Sequence, residues 1–434
     1  MNFYTKCSSV LDEMDKTGAS FKTCVFKMQS ELNFGKIYAT CLSVVKHKAI
    51  LSKVANFIVN NVNDHREKDM NHLMVLLEEF LLRGTQPKSN SLLMSHIRSL
   101  SDKIKIQYGE EVKQAQAKSS ENKEIKGIVY FRCNDESGKT IASLLESKYP
   151  ISKDELIDDL YYTDYKTYSA INKSDLKIIK NNEFVIQSKA SCFPIFALKE
   201  AIGGECKGLV VESCAAPGNK TLQLSKYFPN TRIISFERDK PRFYEMKKRL
   251  KTYSNCSFIK NIKLLNSDFF TSGKVIGFAD RAKVEYAAVD PSCSGSGMLN
   301  RMNDFTQGCK TQEEFKQYIL KQNYTRSKTE TQRIRNLANF QYKLIAFTIE
   351  TFPNLKYLVY STCSLYREEN EDIVKKVLDK NPEITLVNIF ADKWPIRAFN
   401  FYNDPKYDIM SHAIRENPFL NNNDGFFTVV FKIK

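Results

Sequence analysis

The chain has no long hydrophobic run. Nowhere in its 434 residues do apolar side chains continue for the roughly 18–20 positions that a membrane span requires. The N-terminal stretch MNFYTKCSSVLDEMDK also lacks the apolar centre of a secretory signal. We therefore expect an intracellular protein that has no membrane partner.

Paired cysteines are missing as well. None of the eleven cysteines stands in a CxxC pair, and the five histidines cluster with none of them. A zinc site is therefore not expected, and no metal is predicted. An odd number of unpaired cysteines is typical of thiols that stay reduced inside the cell rather than of a disulfide framework.

Positive charge is plentiful. Lys and Arg number 65 against 50 Asp and Glu, which gives a formal net charge of +15. That surplus favours a polyanionic partner, because each phosphate neutralised by Lys or Arg releases counterions. A basic protein without such a partner explains the charge alone equally well. The basic run 237–251 is more simply an exposed helix face than an RNA contact.

The sequence pattern predicts three parts. Residues 1–115 show helical periodicity, residues 116–198 form a small α+β domain, and residues 199–434 alternate short β-branched runs with helical stretches. The polar stretch 113–127 is the predicted linker between the first two parts. The third part predicts an α/β fold, a Rossmann-like, mainly parallel sheet with helices on both faces. Its predicted strands are GLVVES, RIISFE, VEYAAVD, KYLVYST, ITLVNIF and GFFTVVFKI.

An acid or a thiol stands at the end of several predicted strands. Glu237 closes RIISFE, Asp268 ends the region LLNSDFF, Asp290 closes VEYAAVD, and Cys363 follows KYLVYST. In an open α/β sheet the ligand binds beyond the carboxyl ends of the strands, so we expect these side chains along one edge. Any one of them is more simply a solvated strand end, but the set together indicates a functional site.

The turn CAAPGNKT follows the first of these strands. Its small residues would let a ligand approach the backbone at the start of a helix. It is no GxGxxG motif, and an ordinary strand-to-helix turn is the alternative. Glu237 stands about twenty residues further on, where an acid binds the ribose of a nucleotide-type ligand.

The ligand could be a dinucleotide or S-adenosylmethionine, and the thiols favour the second. Hydride transfer needs no cysteine, whereas carbon 5 of a pyrimidine becomes nucleophilic only after a thiolate adds to carbon 6. An acid near ring nitrogen 3 stabilises the charge that develops. Two cysteines and an aspartate at adjacent strand ends suit this chemistry, but their spacing leaves open which cysteine attacks.

Three stretches, CAAPGNKT, DPSCSGSGM and LVYSTCSLYREENED, together resemble the signature of the Sun-domain (RsmB/NOP) RNA cytosine-5 methyltransferases. The similarity extends from about Arg132 to the C-terminus and includes FRCN and FVIQSKASC. It is strongest toward the branch that acts on large-subunit ribosomal RNA. The resemblance implies a class I methyltransferase fold, S-adenosylmethionine as cofactor, ribosomal RNA as partner and a nuclear, nucleolar location. A monomer is expected. Transfer RNA is the alternative substrate, and an RNA-binding assembly factor with dispensable catalysis is the alternative function.

The resemblance also assigns roles to individual residues. Cys363 would be the nucleophile and Cys293 would assist product release. Asp290 would contact both the cofactor side and the target cytosine, and Lys220 would reach the reaction centre. Other residues would hold the cofactor: Cys214, Ala215, Ala216, Pro217, Gly218, Asn219 and Lys220 its methionine part, Glu237 with Arg242 its ribose, and Asp268 its adenine. The family has Asp where Glu212 and Ser188 stand, and the lost charge at Ser188 is expected to weaken cofactor binding.

Overall fold

The structure is a computed structural model of the chain. It describes residues 2–17, 21–28, 31–62, 70–89, 91–124, 128–134, 149–174, 184–254, 256–298, 309–421 and 423–433. The chain divides into two compact units, Met1–Lys126 and Gly127–Lys434. The three-part division of the sequence stays a prediction.

The first unit is helical, as the periodicity predicts. Its helices bury one apolar core, which includes Cys7, Val54 and Leu76. The helices are α1 (Phe3–Thr17), α2 (Phe21–Val25), α3 (Phe34–Lys46), α4 (Lys48–Asn61), α5 (Met70–Leu77), α6 (Leu92–Ser99) and α7 (Ser101–Glu124).

The predicted linker at 113–127 is helical for most of its length, and the boundary between the two compact units falls within it, after Lys126. Helix α7 continues through it to Glu124, and residues 125–127 lie outside the described residues. Ile104, Val112 and Ala115 anchor its N-terminal part in the core. The polar second half is rich in Lys, Glu, Gln and Ala, whose high helix propensity lets the helix continue without an apolar face.

The second unit begins with a small antiparallel sheet. Its strands are β1 (Val129–Cys133), β2 (Ser152–Lys153), β3 (Leu160–Thr163) and β4 (Phe184–Ile186), in the order β2-β3-β1-β4. Helix α8 (Tyr165–Ser174) follows β3, and α9 (Lys189–Ile202) follows β4. The predicted boundary between residues 198 and 199 falls inside α9, so the two predicted domains share this helix.

A larger sheet forms the centre of the second unit. Its strands lie in the order β10-β12-β9-β8-β5-β6-β7, with β11 paired to β12. The segment from β9 to β7 is parallel, which confirms the predicted Rossmann-like sheet. The strands are β5 (Leu209–Ser213), β6 (Ile233–Phe236), β7 (Ile262–Leu265), β8 (Val284–Val289), β9 (Tyr357–Thr362), β10 (Thr385–Leu386), β11 (Ile414–Glu416) and β12 (Phe426–Lys432).

Helices cover both faces of this sheet, as predicted. Successive strand residues such as Val210 and Val211 belong to two separate apolar clusters, one on each face. One cluster includes α9, α10 and α14, and the other includes α15 and α16. The helices that follow α9 are α10 (Asn219–Tyr227), α11 (Lys240–Thr252), α12 (Ser272–Val275), α13 (Phe278–Arg281), α14 (Gln312–Thr325), α15 (Lys328–Thr351), α16 (Glu371–Lys380) and α17 (Pro418–Asn421).

Of the last two predicted strands, GFFTVVFKI is confirmed and ITLVNIF is a strand only in part. ITLVNIF contributes only the two residues of β10, because it pairs with β12 at the edge of the sheet and leaves it after Leu386. GFFTVVFKI is a strand, β12, but it runs antiparallel between β9 and β10. Among the residues that the structure describes, no helix combines the length and apolar character that crossing a membrane requires.

Candidate active site

The two predicted catalytic cysteines meet at the carboxyl edge of the parallel strands. Cys293 lies in the loop after β8 and Cys363 directly follows β9, and the two strands are parallel neighbours. Their sulfur atoms are 2.9 Å apart, and both are free, partly exposed thiols. The hydrogen bond with Cys363, together with burial, raises the pKa of the Cys293 thiol well above its ordinary value. Cys293 therefore keeps its proton at neutral pH and can donate it in a hydrogen bond to Cys363.

Asp290 and Lys220 form an ion pair beside the cysteines. Lys220 Nζ donates to Asp290 Oδ2 at 2.7 Å and to Ser191 Oγ at 3.2 Å, and Ser361 Oγ donates to Asp290 Oδ1 at 2.8 Å. Burial lowers the pKa of Lys220, but the charge and hydrogen bond of Asp290 outweigh it, helped by Cys363, and the net pKa is raised. The edge of the sheet therefore holds a fixed positive charge next to Cys363.

The predicted cofactor turn lies between β5 and α10. Its chain folds sharply, since Cys214 has φ of 55° and Gly218 has φ of 95°, both in the left-handed region. A Cβ at Gly218 would also lie 3.1 Å from Met246 Cγ. Burial, followed by the charge of Glu237, raises the pKa of Cys214 to about 12. The Cys214 thiol thus stays protonated at neutral pH.

Glu237, which directly follows β6, and Arg242, in α11, both contact this turn. The buried Glu237 carboxylate accepts hydrogen bonds from Ala216 N–H at 3.2 Å and from Asp239 N–H at 2.9 Å. Arg242 Nη2 donates to the Ala216 carbonyl oxygen at 2.7 Å, and Arg242 Nη1 lies 3.8 Å from Glu237 Oε2. The structure therefore brings these two predicted ribose ligands together at the turn.

Asp268 follows β7 on the same edge, but its contacts are local. Its carboxylate accepts from Phe270 N–H at 3.0 Å and lies 3.2 Å from Arg238 Nη1. No hydrogen bond in the described structure joins Asp268 to the cysteines or to the turn. Its predicted contact with adenine stays a prediction.

The turn has the features that S-adenosylmethionine requires. Asn219 Oδ1 and Ser213 Oγ are buried and have no hydrogen-bond partner within the described residues. Each Glu237 oxygen accepts one of the backbone bonds given above and keeps a further lone pair for a ribose hydroxyl. Free acceptors beside a sharp turn at the start of α10 fit the ammonium and hydroxyl donors of this cofactor. In the described part of the chain, no three His, Cys, Asp or Glu side chains gather into a group able to hold a metal ion.

Residues of the small antiparallel sheet and of the loop after it are linked by hydrogen bonds to the cofactor turn. Arg132 Nε donates to Gln187 Oε1 at 3.0 Å, and Arg132 Nη2 donates to the Asn219 carbonyl oxygen at 3.4 Å. Gln187 Nε2 donates to the Ser191 carbonyl oxygen at 3.1 Å and to Gln223 Oε1 at 3.3 Å. The FRCN and FVIQSKASC elements are thus joined to the cofactor turn through a buried polar network.

The two departures from the family pattern have structural roles. Glu212 is buried, and its Oε2 accepts from Thr221 Oγ1 and Ser235 Oγ, each at 2.6 Å, which joins β5 to α10 and β6. Burial raises the pKa of Glu212 to about 7 in spite of these two bonds. Ser188 caps α9 by accepting from Ser191 N–H, a role that Asp fills equally well.

The sequence did not single out the side chains that hold the Cys293 loop. Gln341 Nε2 donates to the Ser292 carbonyl oxygen at 3.0 Å and to Glu369 Oε1 at 2.9 Å, and the same Glu369 oxygen accepts from Ser294 N–H at 2.9 Å. Gln341 occupies a core position of the amphipathic helix α15. A polar residue on an apolar helix face was the signal that could have identified it.

Asn370 holds the Cys363 segment in a similar way. Its Oδ1 accepts from Thr362 Oγ1 at 2.6 Å, and its Nδ2 donates to the Ser364 carbonyl oxygen at 2.8 Å. Asn370 was visible in YREENED, but nothing in that stretch indicated which backbone it would reach.

Two glycines join the cysteine loops to β12. Gly297 N–H donates to the Cys363 carbonyl oxygen at 3.0 Å, and Gly425 N–H donates to the Gly297 carbonyl oxygen at 2.7 Å. A Cβ on Gly297 would lie 2.5 Å from the Gly425 oxygen, so the approach requires glycine.

The Rossmann-like sheet, with its ligand turn after β5, has the architecture of the class I methyltransferase fold. A solved structure of a methyltransferase homolog protein from Pyrococcus horikoshii has this fold, with 20% identity and a TM-score of 0.51 over 70% of this chain and 86% of that one. Residues 204–325 and 316–432 match the family described as 16S rRNA methyltransferase RsmB/F, and the chain belongs to that family. The predicted family and its cofactor, S-adenosylmethionine, are thereby confirmed.

Two relatives match most of the chain. The 25S rRNA (cytosine-C(5))-methyltransferase rcm1 of Schizosaccharomyces pombe is 28% identical over 88% of this chain and 80% of its own length. A 28S rRNA (cytosine-C(5))-methyltransferase of Mus musculus is 26% identical over 100% of this chain and 91% of its own length.

Proposed function

We propose that the protein transfers a methyl group from S-adenosylmethionine to carbon 5 of a cytosine in large-subunit ribosomal RNA, through a covalent bond between Cys363 and the base. The observation that carries the proposal is the thiol pair 2.9 Å apart beside the Asp290–Lys220 ion pair. Relatives named for 25S and 28S rRNA match 88% and 100% of this chain and support the ribosomal substrate. In this proposal RNA is the partner, the chain acts as a monomer, and it works in the nucleolus.

The charges around the two thiols favour Cys363 as the nucleophile. Lys220 lies close enough to interact electrostatically with Cys363, and a neighbouring ammonium stabilises a thiolate. Cys293 instead experiences the negative charge of Glu369, which adds to the rise of its pKa. Two thiolates in contact would repel each other, so at most one thiol of the pair ionises, and the raised pKa of Cys293 keeps the proton on that residue.

In the first step the Cys363 sulfur forms a bond to carbon 6 of the cytosine. The electron pair of the ring double bond moves toward carbon 5 and the ring nitrogen. The ring gains negative charge in this step, and the ammonium of Lys220, which Asp290 and Ser361 hold in place, stabilises it. S-adenosylmethionine supplies the electrophilic methyl group.

In the last step the base is released. A base takes the carbon 5 proton, the carbon 5–hydrogen electron pair restores the ring double bond, and the bond between carbon 6 and the Cys363 sulfur breaks. The departing sulfur receives the electron pair 2.9 Å from the Cys293 thiol, which donates a hydrogen bond to it. Without that donor the departing thiolate is not stabilised, and the covalent adduct persists.

Variants of the two thiols test this proposal. The full chain is incubated with unmodified large-subunit ribosomal RNA and a methyl donor labelled on its methyl group. We expect Cys363→Ala to abolish labelling and Cys293→Ala to accumulate a protein–RNA adduct that survives a denaturing gel. Cys256→Ala, which removes a thiol outside this site, is the matched control.

Several results would contradict the proposal. Continued methylation by Cys363→Ala would remove its role as nucleophile, and absence of an adduct with Cys293→Ala would remove the release role. Bisulfite sequencing of total RNA after depletion of the protein tests the substrate. A site lost from transfer RNA instead of large-subunit RNA would leave the chemistry standing and overturn the ribosomal substrate.

A further inference from the structure

Each catalytic cysteine is held by a clamp that contacts the residues on both sides of it. On the Cys293 side, Gln341 donates a hydrogen bond to the carbonyl oxygen of the preceding residue, Ser292. Glu369 accepts a hydrogen bond from the N–H of the following residue, Ser294. Because the main chain is fixed before and after Cys293, its side chain has little freedom to move away from the second sulfur.

The Cys363 side has a corresponding clamp. Asn370 binds the side chain of Thr362 before the cysteine and the carbonyl oxygen of Ser364 after it. The Thr362 hydroxyl also accepts from Ser364 N–H at 3.2 Å. Asn370 and Thr362 are fully buried, so water does not compete for these bonds.

The two clamps come from adjacent residues. Glu369 ends the short turn Arg367–Glu369, and Asn370 follows it directly. The Tyr360 hydroxyl donates to the Glu369 carbonyl oxygen at 2.6 Å, which ties this turn to β9. One short segment therefore sets the positions of both loops, and with them the distance between the two sulfur atoms.

Burial of the Glu369 carboxylate lowers the folding stability of the protein, so stability alone does not explain this residue. The residue is fully buried, and its second carboxyl oxygen, Oε2, has no hydrogen-bond partner among the described residues. An unsatisfied buried polar oxygen lowers folding stability. The hydrogen bond from Ser294 N–H to Glu369, which fixes the Cys293 loop, offsets this loss of stability.

We propose that Glu369, with Gln341, and Asn370, with Thr362, are positioning residues that act separately on the two halves of the reaction. The Glu369–Gln341 clamp governs product release through Cys293. The Asn370–Thr362 clamp governs formation of the covalent bond through Cys363. The assignment rests on the proposed function, because it takes the roles of the two cysteines from there.

Two nearly isosteric variants test the clamps separately. Gln341→Leu removes the hydrogen bonds of Gln341 to Ser292, Glu369 and Tyr360. We expect an unchanged rate of methyl transfer in a single turnover, an adduct that accumulates, and steady-state turnover about tenfold slower. Thr362→Val removes the hydroxyl that binds Asn370. We expect the single-turnover rate to fall about tenfold, with no accumulated adduct.

Thr348→Val is the matched control on α15. Its hydroxyl is fully buried and bonds only within the helix, to the Leu344 carbonyl oxygen at 2.7 Å. The control loses a buried hydrogen bond without touching either loop, so it reports the effect of lower stability alone. We expect neither adduct nor a slower single turnover.

Glu369 itself gives a conservative pair. Glu369→Ala should accumulate adduct as Gln341→Leu does, whereas Glu369→Gln keeps an acceptor oxygen for Ser294 and should restore release toward the wild-type rate. If Glu369→Ala does not fold, Gln341→Leu carries the test alone.

The outcomes separate this inference from the proposed function. If Cys293→Ala traps an adduct but Gln341→Leu does not, the clamp assignment is overturned and the proposed function stands. If Gln341→Leu and Thr362→Val slow both steps equally, the clamps are merely structural and the assignment again fails. If the wild-type chain forms no 5-methylcytosine and Cys293→Ala forms no adduct, the proposed function fails first.

Discussion

Gly297→Ala tests how closely the cysteine loops must approach β12. The added Cβ would lie 2.5 Å from the Gly425 oxygen and 3.0 Å from the Cys363 oxygen, where ordinary contact begins at 3.4 Å. The backbones must therefore separate by about 0.9 Å. Overpacking costs about 1–3 kcal/mol, and each stretched hydrogen bond costs about 1 kcal/mol. We expect the free energy of unfolding to fall by about 3 kcal/mol.

The assay has two parts. Urea unfolding followed by circular dichroism measures the loss of stability, and single-turnover labelling of RNA measures bond formation, which should slow because Cys363 moves with its carbonyl group. Gly204→Ala is the control, since a Cβ there meets nothing within 4 Å and the backbone has no positive φ. Equal unfolding midpoints and rates for Gly297→Ala and Gly204→Ala would refute the reasoning.

Two further predictions concern buried charge. Burial raises the pKa of Glu212 from 4.5 to about 7, so the unfolded chain releases this proton first and stability falls as pH rises between these values. Free energies of unfolding from urea titrations of wild type and Glu212→Gln should thus diverge by about 3 kcal/mol from pH 4.5 to pH 8, with the variant becoming relatively more stable. A difference that stays constant with pH would contradict this. The pair Arg415–Glu371 is fully buried, with nitrogen–oxygen distances of 2.7 and 2.6 Å. Arg415→Met leaves Glu371 as an unpaired buried charge, so we expect the free energy of unfolding, measured by thermal unfolding, to fall by about 3–5 kcal/mol. Adding Glu371→Gln removes that charge and should recover much of the loss. An equal loss in the single and double variants would argue against this explanation.

The sequence was sufficient to predict that Asp290 and Cys363 lie at one edge of the sheet. Asp290 and Cys363 directly follow predicted strands. Residues that directly follow neighbouring parallel strands lie at the same edge of the sheet. The cysteine roles needed the family resemblance, because nothing in the spacing of Cys293 and Cys363 shows which thiol lies beside Lys220.

What the sequence could not predict depends on contacts between distant segments. Gln341 and Glu369 meet across a helix and a turn, and their partners Ser292 and Ser294 lie in a third segment, so no local pattern records the clamp. The antiparallel direction of β12 could not be predicted either, because an apolar run can pair with its neighbours in either direction. The helix through residues 113–124 was missed because this stretch has high helix propensity but no apolar face, and so it gives no periodic hydrophobic signal.

The position of β12 bears on the order in which the active site is made. Both thiols are synthesised before Gly425, yet Gly425 holds the loop of Gly297 and β12 covers the outer side of β9. On the ribosome, a nascent chain that ends short of residue 425 has both cysteines and neither of these supports. The arrangement of the two thiols seen in the structure therefore includes supports that exist only once residues 425–432 have been synthesised.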